Sequence, residues 1–194
     1  MAVTNVLIAG VGGQGIILAS DVLARTAADL GLDVKKSDVH GMAQRGGAVT
    51  SHVRFGGKVY SPLIPEGEAD VIMSSELLEA VRWLPFLKKG GRIAVSTQRI
   101  PPPTVARGEQ PYPEDVLDRL QKIDPRLVAM DCLAIAREAG NERTATIVLL
   151  GGLSALLDFP EGAWIERLQK EAPKKVVDVN VNAFLAGRAQ ARKA

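Results

Sequence analysis

The chain has 194 residues, 46% of them hydrophobic, with 24 Lys and Arg against 22 Asp and Glu and a formal charge of +2, enough length and apolar content for one compact core over residues 1–194. Scattered, nearly balanced charge gives no basic stripe for nucleic acid, and no apolar run approaches the roughly 20 residues of a membrane span. One cysteine and two histidines cannot supply the four thiolates of a [4Fe-4S] cluster or a closed zinc site.

The opening "NVLIAG" is too short an apolar run, too soon followed by glycines, to serve as a secretory leader, so a cytoplasmic protein is expected. "VTNVLIAG" is a β-branched strand that stops at Gly10. "QGIILASDVLARTAADLG" follows with helical spacing: Ile16, Leu23, Ala27 and Leu30 share one face, and Asp21, Arg25 and Asp29 the other. "DVKKSDV" is a second strand. After a glycine-rich stretch, Val49, Ser51, Val53 and Phe55 alternate with Thr50, His52 and Arg54 as a third. Gly56-Gly57 then predicts a hairpin onto "KVYSPLI", since glycines supply the positive φ of a tight turn.

"ADVIMS" has the composition of a buried strand, and "SELLEAVRWL" that of a helix capped by Ser75 and ended near Pro85, with Glu76 in its first turn. "GGRIAVST" is another strand. Residues 99–113 are rich in proline and are expected to be an ordered surface excursion of the same domain. "RLVAMD" is a last strand, and "DCLAIAREAG" starts a helix in which Cys132 is expected to be a buried small hydrophobe. "TATIVLLGGLSALLDF", "EGAWIERLQKEA" and "KKVVDVNVNAFLAGRAQAR" make a helical C-terminal part. The expected fold is α/β: a three-layer Rossmann-like domain with a mostly parallel central sheet, one β-hairpin and that helical part.

Two glycine clusters carry chemistry. "GVGGQG" puts Gly10, Gly12 and Gly15 in a G-x-G-x-x-G pattern, with Gly13 and Gln14 between them, directly after a strand and at a helix start. There a backbone without side chains can approach a phosphate, and the helix start offers unpaired N–H groups. A dinucleotide would also want an acidic residue closing the second strand, for which Asp38 is the candidate; a tight turn without a ligand remains the alternative.

The second cluster is "HGMAQRGG", which supplies His40, Gly41, Gln44, Arg45, Gly46 and Gly47. Gly47 stands where a P-loop needs Lys, so nucleoside triphosphate hydrolysis has no support. The glycines allow close approach of something flat or anionic, Arg45 is a cation for it, and Gln44 both donates and accepts. His40 is either an oriented polar group of a site or a hydrogen-bonded structural histidine. His52 is expected to be solvated or at an interface, and Arg54 to be a charged strand face. No glycine-aspartate-glycine signature for thiamine diphosphate appears, nor a nucleophile elbow.

"GVGGQGIILAS", "SDVHGMAQRGGAVTSHVRFG" with "KVYSPLIPEGEADV", and "VVDVNVNAFLAG" together resemble the β subunits of indolepyruvate ferredoxin oxidoreductases, in the γ-domain family of 2-oxoacid:acceptor oxidoreductases. The likeness runs over nearly the whole chain. It implies a two-subunit enzyme whose catalytic α subunit holds thiamine diphosphate and the 4Fe-4S clusters, while this chain binds no cofactor alone and completes the assembly. The implied reaction is oxidative decarboxylation of an arylpyruvate, with coenzyme A (CoA) taking the acyl group and ferredoxin the electrons. In that setting both glycine loops would edge the partner's active site or CoA channel, or mould the subunit interface. A self-sufficient NAD- or flavin-dependent oxidoreductase and a non-catalytic scaffold are the rival readings.

Overall fold

The computed structural model describes residues 2–40 and 47–193. Its centre is β1, Thr4–Val11, whose Val6, Leu7, Ile8 and Ala9 are all fully buried. A strand with no polar phase must be covered on both faces, and the sheet order β2-β3-β1-β4-β5-β6 places it in the interior. Helix α1, Ile16–Asp29, follows the glycine turn, and then come β2, Asp33–His40, and β3, Ala48–Gly56. β4, Ala69–Ser74, lies on the other side of β1, followed by α2, Leu77–Arg82, and β5, Leu87–Ser96. Short α3, Pro103–Ala106, sits in the proline-rich excursion; α4, Val116–Ile123, and β6, Val128–Met130, complete the sheet side. Helices α5, Cys132–Glu138, α6, Ala145–Ser154, α7, Glu161–Glu171, and α8, Val177–Ala191, end the chain.

β3 pairs antiparallel with both neighbours, and the β1–β4, β4–β5 and β5–β6 pairs are parallel. Five strands therefore share one direction. One apolar layer joins Val6, Ile8, Val53 and Met73 to α1, α6, α7 and α8. On the opposite face α2 and α4 cover Ile93 and Val95, while Ile64, Trp83 and Phe86 cover Leu7 and Ile72. The helical layer is tightest where α6 crosses α8. A Cβ on Gly151 would lie 2.0 Å from the Phe184 carbonyl oxygen, and one on Gly187 would lie 1.9 Å from that of Val148.

Several expectations need correction. The predicted hairpin through Gly56-Gly57 does not form: residues 57–63 include no strand, and the hairpin is β2–β3 instead. Side chains, not a ladder, hold the 57–68 segment. Val59 N–H donates to Asp33 Oδ2 at 2.8 Å, Ile64 N–H to His52 Nδ1 at 3.1 Å, and Arg54 Nη1 donates to the carbonyls of Ser61 and Leu63. His52 is consequently buried at 5% exposure rather than solvated, and Arg54 is a clasp rather than a free surface charge. Ser75 does not cap α2; the Glu76 carboxylate does, accepting the Glu79 N–H at 3.0 Å. Leu30 leaves the apolar face of α1 as its exposed C-cap. α4 was not anticipated, although Val116 and Leu120, one turn apart, are its buried face.

Candidate functional site

The parallel strands end together at one edge of the sheet, where the chain leaves β1 for the β2–β3 hairpin and returns on its other side as β4. That reversal is where open α/β sheets leave a crevice. The glycine turn occupies it. Gly13 and Gly15 have φ of 98° and 82°, which a β-carbon disfavours, and Gly15 caps α1 with no side-chain partner. The first N–H groups of this 14-residue helix therefore face the crevice without a capping side chain, and no acidic residue occupies its first turn. Gly10 is needed for a different reason: a Cβ there would stand 2.0 Å from Ser75 Oγ and 2.6 Å from Ile16 Cδ1.

Gln14 is the brace of the turn. Its Oε1 accepts the Val11 N–H at 2.9 Å and the Ser75 hydroxyl at 2.6 Å, while its Nε2 donates to Gln98 Oε1 at 3.2 Å. One amide thus ties together the ends of β1, β4 and β5. The Thr146 hydroxyl donates to the Gln14 carbonyl, fixing the α6 start to the same turn.

Beside this brace lies a cavity of about 390 Å³, walled by Gly13, Gln14, Gly15, Gln98, Arg143 and Thr146 and floored by Cys132 and Leu149. Arg143 is exposed and makes no ion pair among the described residues. Burial pushes the Cys132 thiol up to about 12, which keeps it protonated and unreactive near neutral pH. Two smaller hollows continue round the turn. One of about 360 Å³ runs past Gly12, Ile16 and Ile17; another of about 270 Å³ runs between Gly47, Glu79, Arg82 and Ile100.

Glu76 supports this rim from behind. Its Oε1 accepts the Tyr112 hydroxyl at 2.5 Å and the Ile100 N–H at 3.2 Å, which pins the proline-rich excursion to α2. Burial, with this bond to Glu76, raises the Tyr112 phenol well above its ordinary value. Glu79, one turn on, is buried with Oε2 lacking a hydrogen-bond partner among the described residues, and burial raises its carboxyl above the usual range.

The structure brings Gly10, Gly12, Gly13, Gln14 and Gly15 into this crevice and adds Gly47, whose carbonyl accepts the Gly12 N–H at 2.8 Å. His40 ends β2 at the same edge of the sheet. Gly41, Gln44, Arg45 and Gly46 lie outside the described residues. Gln98, Arg143 and Thr146 were not singled out from the sequence, and Ser75 was read only as a helix cap. A legible sign existed for two of them, because Ser75 and Gln98 are polar residues directly after buried strands, where site residues collect in this architecture.

Asp38 cannot serve as the ribose residue of a dinucleotide site. β3 stands between β1 and β2, which moves Asp38 two strand spacings, roughly 10 Å, from β1. Its carboxylate is also engaged, accepting from Ser51 Oγ at 2.6 Å and pairing with Lys36 Nζ at 2.9 Å. No group of three or more metal-ligating side chains occurs among the described residues, and no helix of the described residues is long and apolar enough to cross a membrane.

Residues 5–190 match the family described as "Pyruvate ferredoxin/flavodoxin oxidoreductase". The chain is 43% identical over 190 residues to "Indolepyruvate oxidoreductase subunit IorB" of Thermococcus kodakarensis, covering 94% of this chain and 93% of that one. Among solved structures it superposes on a keto/oxoacid ferredoxin oxidoreductase γ subunit from Geobacter sulfurreducens with a TM-score of 0.74 at 25% identity, covering 98% and 99% of the two chains. It also matches the fold of 32% of a 2-oxoglutarate:ferredoxin oxidoreductase chain from Magnetococcus marinus, with a TM-score of 0.77 at 22% identity and all of this chain covered. The chain belongs to the pyruvate ferredoxin/flavodoxin oxidoreductase family and is a homologue of the indolepyruvate oxidoreductase subunits within it.

Proposed function

We propose that this chain is the β subunit of a heteromeric indolepyruvate ferredoxin oxidoreductase, which oxidatively decarboxylates arylpyruvates to aryl-acetyl-CoA. The single observation that carries this is the 43% identity, over nearly the full length of both chains, to a subunit of that enzyme. The chemistry of the donor set points the same way: one buried thiol cannot hold a cluster, and the crevice presents mainly amides, hydroxyls and backbone N–H groups, with the exposed Glu142 and Arg143 at its rim. Thiamine diphosphate and the 4Fe-4S clusters belong in this reading to the catalytic α subunit, where they supply decarboxylation and electron transfer to ferredoxin.

This chain's part is to form one edge of the CoA channel. The uncapped start of α1 beside Gly13 offers N–H groups and positive dipole to a phosphate, with Arg143 as a cation at the rim. Gln14 holds that turn in shape through Ser75 and Gln98 without spending its own amide on the ligand. Arg45 and Gln44, which precede Gly47 in the sequence, are assigned to ligand contacts in this reading, Arg45 to a phosphate or carboxylate. In this reading the protein works in the cytoplasm.

The test is co-purification from native cells, followed by assay of what elutes. A catalytic subunit that reduces ferredoxin in the presence of indolepyruvate and CoA supports the reading. Elution of the chain without a thiamine- and cluster-bearing partner contradicts it.

A further inference from the structure

β2 is one border of the sheet, and among the described residues no backbone group pairs with its outer side. It is eight residues long and none of its described residues is buried, whereas β3 beside it is buried almost throughout. A straight, open edge of this length is a template for another strand unless it is guarded, usually by lysines that direct unpaired charge into the gap. β2 carries two lysines, but neither charge is unpaired. Lys35 pairs with Asp33 at 2.8 Å, and Lys36 pairs with Asp21 at 2.5 Å and with Asp38 at 2.9 Å. Val39 is also turned outward at 51% exposure.

We propose that this edge pairs with β2 of a second copy of the same chain, antiparallel and across a two-fold axis, so that two six-stranded sheets become one continuous sheet. The geometry limits the register. A two-fold axis normal to the sheet keeps the faces of both copies matched, so one residue must sit opposite itself and its neighbours pair in even steps. Centring on Lys35, Lys36 or Asp38 would place like charges directly against each other, which destabilises a pair of strands. Centring on Ser37 puts a small neutral residue on the axis. It sets Lys36 of each copy opposite Asp38 of the other, and Lys35 opposite Val39, whose exposed methyls then lie against the lysine stem. The opposite-charge contact is made twice, and the overlap runs over residues 34–40. This complementarity of β2 with its own reverse is what favours a second copy over a foreign strand.

The test uses the full chain. Sedimentation equilibrium at micromolar concentration should give twice the 20.7 kDa of one chain. Ser37→Cys should form a disulfide-linked dimer under mild oxidation, because residues opposite each other in an antiparallel pair have Cα atoms about 4.5–5.5 Å apart, within disulfide reach. Wild type should not crosslink, since its Cys132 is buried, and neither should Lys35→Cys, which faces Val39. Val39→Lys should weaken the dimer at least about fivefold by setting two lysine pairs against each other. Adding Lys35→Glu should restore it while circular dichroism and melting stay unchanged. A monomeric mass overturns the proposal, as does a dimer that Ser37→Cys fails to trap or that the charge swap fails to rescue. If Val39→Lys instead weakens binding to a catalytic subunit and Ser37→Cys stays uncrosslinked, the edge belongs to that subunit and the self-pairing is wrong.

Discussion

The His52 imidazole accepts the Ile64 N–H through Nδ1 at 3.1 Å while its ring stands edge-on to Trp83 and Phe86, with centroids at 6.4 and 5.9 Å. The ring is therefore both an acceptor and an apolar filler, and each role requires the neutral form. Burial lowers its pKa from the ordinary value near 6.5. A base that is harder to protonate in the folded state makes the unfolded chain bind more protons, so stability is intact above about pH 6.5 and falls as pH drops below it. Urea unfolding from pH 7.5 to 5 should show this, with a slope from this group of at most about 1.4 kcal/mol per pH unit. His52→Phe should flatten the slope and cost about 1–3 kcal/mol at pH 7.5, because the Ile64 N–H is left buried without an acceptor.

Glu79 has the opposite sign. Its folded-state pKa is raised, so its contribution to stability is fully present below the ordinary carboxyl value and is lost as pH rises through the raised one. The carboxyl is buried with one oxygen unpartnered among the described residues, and Arg82 at 3.4 Å is a partly solvated and weak partner for its charged form. Glu79→Gln should stabilise the chain by about 1 kcal/mol at pH 7 and change little at pH 4. Chemical denaturation at the two pH values decides this, and equal effects at both would remove the titration argument.

Gly187→Ala should be among the most damaging single changes. Its Cβ would meet the Val148 carbonyl oxygen at 1.9 Å, and a backbone atom of a packed helix cannot rotate away as a side-chain tip can. A loss of about 3 kcal/mol or more is expected, read as a fall in melting temperature or as insoluble expression. Gly162→Ala is the control, since nothing lies within 4 Å of the added carbon.

Gln14→Ala removes the amide that joins three strand ends and leaves the Val11 N–H and the Ser75 hydroxyl without that partner. It should cost about 1–3 kcal/mol. In the assembled enzyme it should raise KM for CoA more than it lowers kcat, because Gln14 shapes the turn without touching the reacting atoms. A kcat loss with unchanged KM would place it in the chemistry instead.

The order of strands and helices was largely legible from periodicity, because a buried parallel strand and an amphipathic helix each announce themselves locally. The first glycine cluster was legible too, since a φ near +98° at Gly13 and the close approach of Ser75 to Gly10 are demands that only glycine meets. The 57–68 segment was misread because what holds it is remote in sequence. Asp33, His52 and Arg54 satisfy its backbone, and no spacing rule within "KVYSPLI" contains them. His52 was misplaced for the same reason: alternation in β3 suggested a wet face, yet β3 lies inside the sheet and is covered on both sides. The brace through Gln14, Ser75 and Gln98 spans 84 residues and becomes visible only when the strands align.

Reconstitution tests the central claim most directly: the purified chain is titrated into its separately purified catalytic subunit, and indolepyruvate- and CoA-dependent reduction of ferredoxin is followed. The account predicts no turnover by this chain alone and activity that rises to saturation as it is added. Turnover by the isolated chain, or a catalytic subunit whose CoA-dependent rate is indifferent to it, would contradict the account.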